Sequence, residues 1–179
     1  MSVKNEMILR PVGVVESKIR EPVPKPASDD PKEFAERRKK ANEMRKKTAR
    51  IIIDKDMEGI LDGIEDFSHI LLLYWPHLIP DEKRRTSVRV HPMGRKEFPL
   101  VGIFATCSPM RPNPVLTTMV RLLKREGNVL EVTGLDAVDG SPVIDVKPFH
   151  PWFYPLEDVR LPDWMEQMRK EFSSDEKSS

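Results

Sequence analysis

Two short segments of the sequence bring together residue types that a binding or catalytic site needs. The first is residues 102–114, GIFATCSPMRPNP, in which three prolines surround Arg111 and Asn113. Proline fixes φ and removes a backbone donor, so we expect a stiff loop. Arginine and asparagine on such a loop present fork-like donors to a carboxylate or to an adenine edge. The alternative is a structural crossover between strands, with Arg111 in a surface ion pair.

The second segment is residues 135–148, LDAVDGSPVIDVKP, which crowds three aspartates around a turn signal at Asp139 and Gly140. Backbone groups of this turn, together with Ser141, suit a ribose or an amino group. Paired carboxylates also act as bases or attract a cation. The alternative is a hairpin turn whose aspartates cap their own backbone.

Several other kinds of site find no support in the sequence. It contains neither a G-x-G-x-x-G fingerprint nor a phosphate-binding G-x-x-x-x-G-K-[ST] loop. The four histidines and the single Cys107 show no metal-ligand spacing, so we expect no metal. One cysteine allows no intrachain disulfide, which fits a reducing compartment. The net charge of +1 gives no argument for nucleic acid, which must come from local patches.

The elements that position these segments are expected to be short strands separated by turns. The expected strands are residues 7–17 (with a bend or bulge at Gly13), 50–54, 67–75, 87–90, 101–106, 115–124, 129–135 and 142–147. Residues 67–75 are almost continuously apolar, which predicts a strand buried on both faces. Since no long helices alternate with the strands, the pattern favours a mainly β fold with an antiparallel sheet closed into a barrel.

A basic helix is expected to interrupt the barrel. Asp30, Pro31 and Glu33 form a helix start, with Asp as the N-cap, and the helix runs from Pro31 to about Lys47. Residues 22–47 are therefore a linker followed by a basic insertion, with nine bases and three acids between residues 32 and 50. Three roles are open for its stretch Arg37–Lys47: a solvated arm, a contact surface for RNA phosphates, or an element that binds a membrane surface.

The ends of the chain carry simpler expectations. Residues 161–172 read as a short amphipathic helix packed against the barrel, and residues 172–179 read as a disordered polar tail. The barrel domain is thus expected over residues 1–160, and the helix and tail over residues 161–179. The N-terminus does not resemble a signal peptide, and the longest apolar run, Ile70–Pro76, is too short to span a bilayer. We therefore expect a soluble, cytoplasmic protein without a membrane segment.

Four segments together resemble the TsaA/TrmO-like family of S-adenosylmethionine-dependent tRNA methyltransferases. They are VGVVES at residues 12–17, FSH at 67–69, FATCSPMRPNP at 104–114 and DAVDGSPVIDVKPF at 136–149. They occur in the order and spacing of that family, over roughly residues 7–21 and 48–155. The resemblance implies a compact β-barrel, a homodimer, and methylation of threonylcarbamoyladenosine beside the tRNA anticodon, with the basic helix as a possible RNA contact.

The resemblance also implies which residues contact S-adenosylmethionine. These are His77, Leu78, Phe104, Ala105, Thr106, Cys107, Arg111, Asn113, Asp136, Val138, Asp139, Gly140 and Ser141. The residue that assists the nitrogen nucleophile is not identified, and Asp145 and His69 are the hypotheses.

Two departures from the family pattern concern the same loop. Cys107 stands where the family usually has arginine, and VLTT at residues 115–118 replaces Ile-Gly-Leu-Ser. Losing an arginine removes a fixed cation and five donors. Two alternatives therefore stay open: a methyltransferase of a small molecule, with aromatic residues from Phe149 to Tyr154 lining its pocket, or a non-catalytic module that binds the cofactor.

Overall fold

Six antiparallel strands close into a barrel because alternate side chains of each strand point into one shared core. The computed structural model describes residues 7–22, 30–154 and 157–176. Its strands are β1 (Gly13–Glu16), β2 (Ala49–Ile53), β3 (His69–Tyr74), β4 (Arg89–Val90), β5 (Val101–Gly102), β6 (Leu116–Glu126), β7 (Val129–Thr133) and β8 (Pro142–Pro148). The barrel order is β1-β2-β7-β6-β3-β8, and β4 pairs with β5 in a separate ribbon. The predicted mainly β barrel is confirmed.

Strand β3 shows how the core is filled. Ile70, Leu72 and Tyr74 are buried, whereas the residues between them are only half-buried. The predicted burial of this strand on both faces is therefore wrong, because its second face is the outer surface of the barrel. Burying each large apolar side chain contributes about 1.5–3 kcal/mol, so the inward residues of six strands stabilise the closed form.

Strand β1 is shorter than predicted, and its glycine has a different role. The ladder covers only Gly13–Glu16 of the expected residues 7–17. Its register against β2 runs without interruption from Gly13 to Glu16, so no bulge lies at the glycine. A Cβ atom at Gly13 would lie 2.2 Å from the carbonyl oxygen of Ile52. The glycine is required because the two backbones approach closely.

The hairpin between β6 and β7 follows the prediction, whereas the segment before β6 does not. Gly127 adopts φ +57° in the tight turn of the hairpin, a conformation that favours glycine. The expected strand at residues 101–106 ends at Gly102, and a 3₁₀ turn follows at Ile103–Ala105. Helix α2, Asp81–Thr86, was not predicted. The stiff segment thus begins as a helical turn rather than as a strand.

The basic helix α1 spans Pro31–Arg45, as its start signals predict. The side chain of Asp30 accepts a hydrogen bond from the backbone N–H of Lys32 at 2.9 Å. Such an N-cap satisfies one of the backbone donors that a helix start leaves open. The linker residues 23–29 that precede it lie outside the described residues.

Helix α3, Asp163–Glu176, is longer than predicted and packs elsewhere. The disorder expected from residue 172 is wrong up to residue 176, and residues 177–179 lie outside the described part of the chain. Instead of the barrel wall, the helix meets the segment between β4 and β5, where Trp164 lies 6.1 Å from Phe98 between ring centroids. Glu171 binds Arg95 at 2.6 Å and Arg38 of α1 at 3.3 Å. The hydrogen bond from Arg95 lowers the pKa of Glu171.

Candidate functional site

The loop between β7 and β8, residues 134–141, forms the candidate site at one end of the barrel. The chain leaves β7 through Gly134, which adopts φ +93°, a conformation that favours glycine. Leu135 and Ala137 are buried at 2% and 1% exposure and anchor the loop to the core. The side chains of Asp136 and Asp139 remain outside, so the loop presents carboxylates above an apolar base.

Backbone hydrogen bonds fasten this loop to the strand that starts the barrel. The N–H of Gly140 donates to the carbonyl of Val15 at 2.8 Å, and the N–H of Val15 donates to Ser141 at 2.9 Å. The N–H of Asp139 donates to Ile19 at 2.7 Å. The loop therefore extends the sheet beside β1, which makes it a rigid part of the barrel.

Asp139 ties the same two segments together with its side chain. One oxygen accepts from the backbone N–H of Ser17 at 2.9 Å, and the other accepts from Arg20. The hydroxyl of Ser17 donates to the carbonyl of Ala137 at 2.9 Å. Asp139 thus accepts from the backbone of a residue 122 positions away in the chain, so it joins the loop to the segment after β1 and does not cap its own backbone.

Asp136 stands at the centre of a polar network. Its Oδ1 accepts from the hydroxyls of Thr118 at 2.6 Å and Tyr74 at 3.1 Å, and its Oδ2 pairs with Arg45 at 3.1 Å. Burial raises the pKa of Tyr74, and the charge of Asp136 raises it further. The phenol therefore stays protonated and keeps donating to the carboxylate.

His77 lies beside Gly140 on the open side of the loop, and both residues are exposed, as is Leu78, which follows His77 in the chain. Nδ1 of His77 lies 3.5 Å from the hydroxyl of the buried Ser141. Gly140 adopts φ +77°, and a Cβ atom there would lie 3.7 Å from Nε2 of His77. A side chain at this position would be strained and would fill the space in front of the imidazole, so glycine keeps it open.

The proline-stiffened segment, residues 103–114, is held by its own arginine. Nη2 of Arg111 donates to the carbonyl of Thr106 at 2.7 Å and lies 3.5 Å from that of Ile103. The guanidinium lies 5.7 Å from the ring centroid of Phe104, which is 77% exposed. Arg111 therefore holds its own loop together, and its Nε is buried with no hydrogen-bond partner among the described residues.

Strand register brings the end of this segment to the same end of the barrel as the loop. Leu116, two residues after the buried Pro114, pairs with Tyr74. The backbone N–H of Trp75 donates to the carbonyl of Pro142 at 2.9 Å. Asn113 and Cys107 are exposed on the segment that leads there.

Asp145 and His69 are placed differently. Asp145 lies on the outer face of β8 and pairs with Lys147 at 2.6 Å. His69 begins β3, five positions from Tyr74, which is about 17 Å at a rise of about 3.3 Å per residue. Its Nδ1 lies 2.9 Å from the hydroxyl of Ser68. Within one chain the strands do not bring these two side chains to the 134–141 loop.

Three side chains of the Asp136 network lie outside the predicted site. Tyr74 and Thr118 read as ordinary strand residues, and Arg45 reads as one of many bases on a surface helix. Only the strand register and the docking of α1 bring them to Asp136.

In the described ranges no group of three or more His, Cys, Asp or Glu side chains is placed to hold a metal ion. The helices in those ranges include none long and apolar enough to cross a membrane.

A closed six-stranded antiparallel barrel with a polar loop at one end defines the class to which this chain belongs. A family model described as the tRNA-methyltransferase O N-terminal domain matches residues 32–154. The chain belongs to this family.

The curated relatives match most of the chain. A probable S-adenosyl-L-methionine-binding protein of Methanothermobacter thermautotrophicus is 43% identical over 145 residues, which are 81% of this chain and 91% of that protein. An S-adenosyl-L-methionine-binding protein of Archaeoglobus fulgidus is 40% identical over 149 residues, with the same two coverages. The predicted family is therefore confirmed by relatives of similar length.

The fold has a match among solved structures. The crystal structure of TrmO from Pseudomonas aeruginosa superposes with a TM-score of 0.62 at 23% identity. The match covers 89% of this chain but only 62% of that protein. It supports the barrel architecture.

Proposed function

We propose that this chain binds S-adenosylmethionine at the 134–141 loop and transfers its methyl group to the exocyclic N6 of threonylcarbamoyladenosine beside the tRNA anticodon. Family membership supports the reaction class, because the family model is named for a tRNA methyltransferase. The names of the curated relatives support the cofactor. The structural observation that carries the proposal is the rigid loop that presents two carboxylates and an open glycine at one end of the barrel.

The residues of this loop fit the chemistry of that cofactor. Its ammonium and ribose hydroxyls are donors, which suit the outer oxygens of Asp136 and Asp139. Gly140 leaves the backbone open in front of His77, where a side chain would block a planar or ribose group. In this proposal the other predicted contacts, from Phe104 to Asn113, form the opposite wall of the site.

When bound, the cofactor supplies a methyl group on a cationic sulfonium, so the carbon–sulfur bond breaks as the new carbon–nitrogen bond forms and the nitrogen loses a proton. The chain's main task is to align the acceptor with that methyl group. Tyr74 and Thr118 serve this task by fixing one oxygen of Asp136 in place. Asp145 and His69 stay hypotheses for the proton acceptor.

The RNA part of the proposal depends on α1 and the residues that follow it. Lys39, Lys40, Lys46 and Lys47 are exposed, so they are available to phosphates. Arg37 and Arg38 instead form ion pairs with Glu33 and Glu171. The helix ends beside the Asp136 network, which places a basic surface next to the candidate site.

The decisive experiment follows labelled methyl groups. The purified chain is incubated with labelled S-adenosylmethionine and with total RNA or small-molecule extract from cells that lack the protein. We expect label in tRNA, at threonylcarbamoyladenosine after nuclease digestion. Label only in the small-molecule pool would establish the alternative methyltransferase. Cofactor binding with label in neither pool would establish a non-catalytic module.

A salt titration tests the RNA surface separately. Each phosphate contact contributes about one unit to the slope of log affinity against log salt. Replacing Lys46 and Lys47 by glutamine should therefore lower the slope for tRNA by about two units. The matched control replaces Lys55 and Lys124, two exposed lysines in other parts of the chain, and should leave the slope unchanged. Equal slopes for both variants would remove Lys46 and Lys47 from the RNA-binding surface.

We further propose that the chain acts as a cytoplasmic homodimer. The outer face of β3 carries Leu71 and Leu73, and Met119 of β6 pairs with Leu71 and is 37% exposed. An apolar strip on the outside of a barrel is suited to a second copy. Light scattering coupled to gel filtration should give twice the 20.7 kDa chain mass. A Met119→Glu variant should shift the protein to the monomer mass, and a monomeric wild type would contradict the proposal.

A further inference from the structure

The last residue of α1 is attached to the candidate site by both its side chain and its backbone. The guanidinium of Arg45 pairs with Asp136 at 3.1 Å. Its carbonyl oxygen accepts from the N–H of Gly134 at 2.9 Å. Gly134 and Asp136 belong to the same loop, so a basic helix inserted between β1 and β2 ends directly on the site.

The two oxygens of Asp136 are held in different ways. Oδ1 faces the hydroxyls of Tyr74 and Thr118, which are only 5% and 6% exposed. Oδ2 faces Arg45, and the two side chains of this ion pair are 45% and 42% exposed. Buried hydrogen bonds resist exchange, whereas an ion pair in contact with water is weak and easily replaced. Arg45 is therefore the partner that a ligand can displace.

The middle of α1 is fixed independently of its end. Glu171 of α3 binds Arg38 of α1 at 3.3 Å and Arg95 at 2.6 Å. Arg95 in turn lies against the ring of Phe34, at 5.5 Å from its centroid. Because the helix body is held in place, a ligand on its C-terminal end acts mainly by redirecting the side chain of Arg45.

We propose that Arg45 is a positioning residue that links RNA binding on α1 to cofactor binding at Asp136. A phosphate near Lys46 and Lys47 competes with Asp136 for the guanidinium. When Arg45 turns toward the phosphate, Oδ2 of Asp136 becomes available to the ammonium of the cofactor. Each ligand then strengthens the other, and the factor is the same in both directions. This inference rests on the proposed function of the same site.

The size of the effect follows from the exposure of the ion pair. Pairs that remain about half exposed contribute little, which corresponds to a factor of about two to five in binding. We therefore expect saturating tRNA to lower the Kd of the cofactor product S-adenosylhomocysteine by that factor. S-adenosylhomocysteine is the probe because it keeps the ammonium and the adenosine but cannot react.

The test measures this Kd by calorimetry with and without saturating tRNA in four proteins. In Arg45→Gln the tRNA effect should vanish, and the affinity without tRNA should rise toward that of the tRNA-bound wild type. Arg45→Lys should retain part of the effect, since it keeps the charge. The matched control is Arg50→Gln, which breaks a similarly exposed ion pair, with Glu16, on β2 and should keep the full effect.

The outcomes separate this inference from the function on which it rests. If S-adenosylhomocysteine and tRNA both bind to the wild type but neither alters the affinity of the other, the linkage is wrong and the proposed function stands. An equal tRNA effect in the wild type and Arg45→Gln also overturns it. If S-adenosylhomocysteine does not bind at all, the proposed function fails together with the linkage. Matching melting temperatures for the four proteins confirm that folding does not cause the differences.

Discussion

Replacing Gly13 by alanine should destabilise the barrel because β1 and β2 leave no room for a side chain there. The new Cβ would lie 2.2 Å from the carbonyl oxygen of Ile52, roughly 1.2 Å short of the 3.4 Å at which ordinary contact begins. Moving β1 by that distance would break hydrogen bonds that flank the glycine, such as Asp54 to Val12 at 3.0 Å. Overpacking costs about 1–3 kcal/mol and each lost hydrogen bond about 0.5–1.5 kcal/mol.

The expected loss is therefore about 2–4 kcal/mol in the free energy of unfolding. For a chain of this size, that lowers Tm by about 5–15 °C. Urea denaturation followed by circular dichroism measures the change. The control is Gly102→Ala, because Gly102 has φ −60° and nothing within 4 Å of its Cβ position. If Gly13→Ala unfolds within about 0.5 kcal/mol of the wild type, or if Gly102→Ala loses as much, the close-approach argument fails.

Three further predictions test the charges of the molecule. Because the pKa of Tyr74 is raised above 10.0 in the folded chain, the unfolded chain loses its proton first and stability should fall as the pH rises above about 10. Tyr74→Phe should weaken this decline in urea denaturation series, and an unchanged alkaline slope would contradict it. The pKa of Glu171 is lowered below 4.5 in the folded chain. Its contribution to the free energy of unfolding is therefore complete above pH 4.5 and is lost as the pH falls through the lowered pKa. Glu171→Gln should flatten the acid limb of the stability profile, whereas the exposed Glu58→Gln should not. Finally, the turnover of His69→Ala and Asp145→Asn is measured at saturating cofactor. If either residue accepts the proton, its variant should lose at least about tenfold in turnover. Unchanged turnover in both variants would remove both residues as candidates.

Short-range sequence signals predicted much of the secondary structure. Asp30 caps α1 and Gly127 turns the β6–β7 hairpin because each acts through its own few neighbouring residues. Such interactions are visible in sequence. The lengths of β1 and β5 were wrong because an apolar run does not show where a partner strand ends. The position of α3 was wrong for a related reason, since its partner Arg95 lies 76 residues away in the chain.

The proline-stiffened segment shows why side-chain chemistry alone did not identify roles. The arginine and asparagine of this segment predicted hydrogen-bond donors for a ligand. In the structure, Arg111 instead donates to the carbonyls of Thr106 and Ile103. That arrangement depends on how the loop folds back after the 3₁₀ turn, which residue types do not reveal. Cys107, which is exposed, directly follows Thr106 in the chain. Nη2 of Arg111 is therefore engaged with the backbone of its own segment.

Both carboxylates of the 134–141 loop form an ion pair with an arginine that lies outside the sequence motifs. Arg20, which follows β1, pairs with Asp139, and Arg45, which ends the inserted helix, pairs with Asp136. The sequence pattern implied a loop with two free negative charges, whereas the folded loop is close to neutral. A cationic ligand must then displace an arginine rather than enter an unoccupied acidic site. Displacement of Arg20 would leave Asp139 with one of its donors, the backbone N–H of Ser17, whereas displacement of Arg45 leaves Asp136 with two, the hydroxyls of Tyr74 and Thr118. Asp136 is for this reason the carboxylate that can exchange partners without disturbing the barrel.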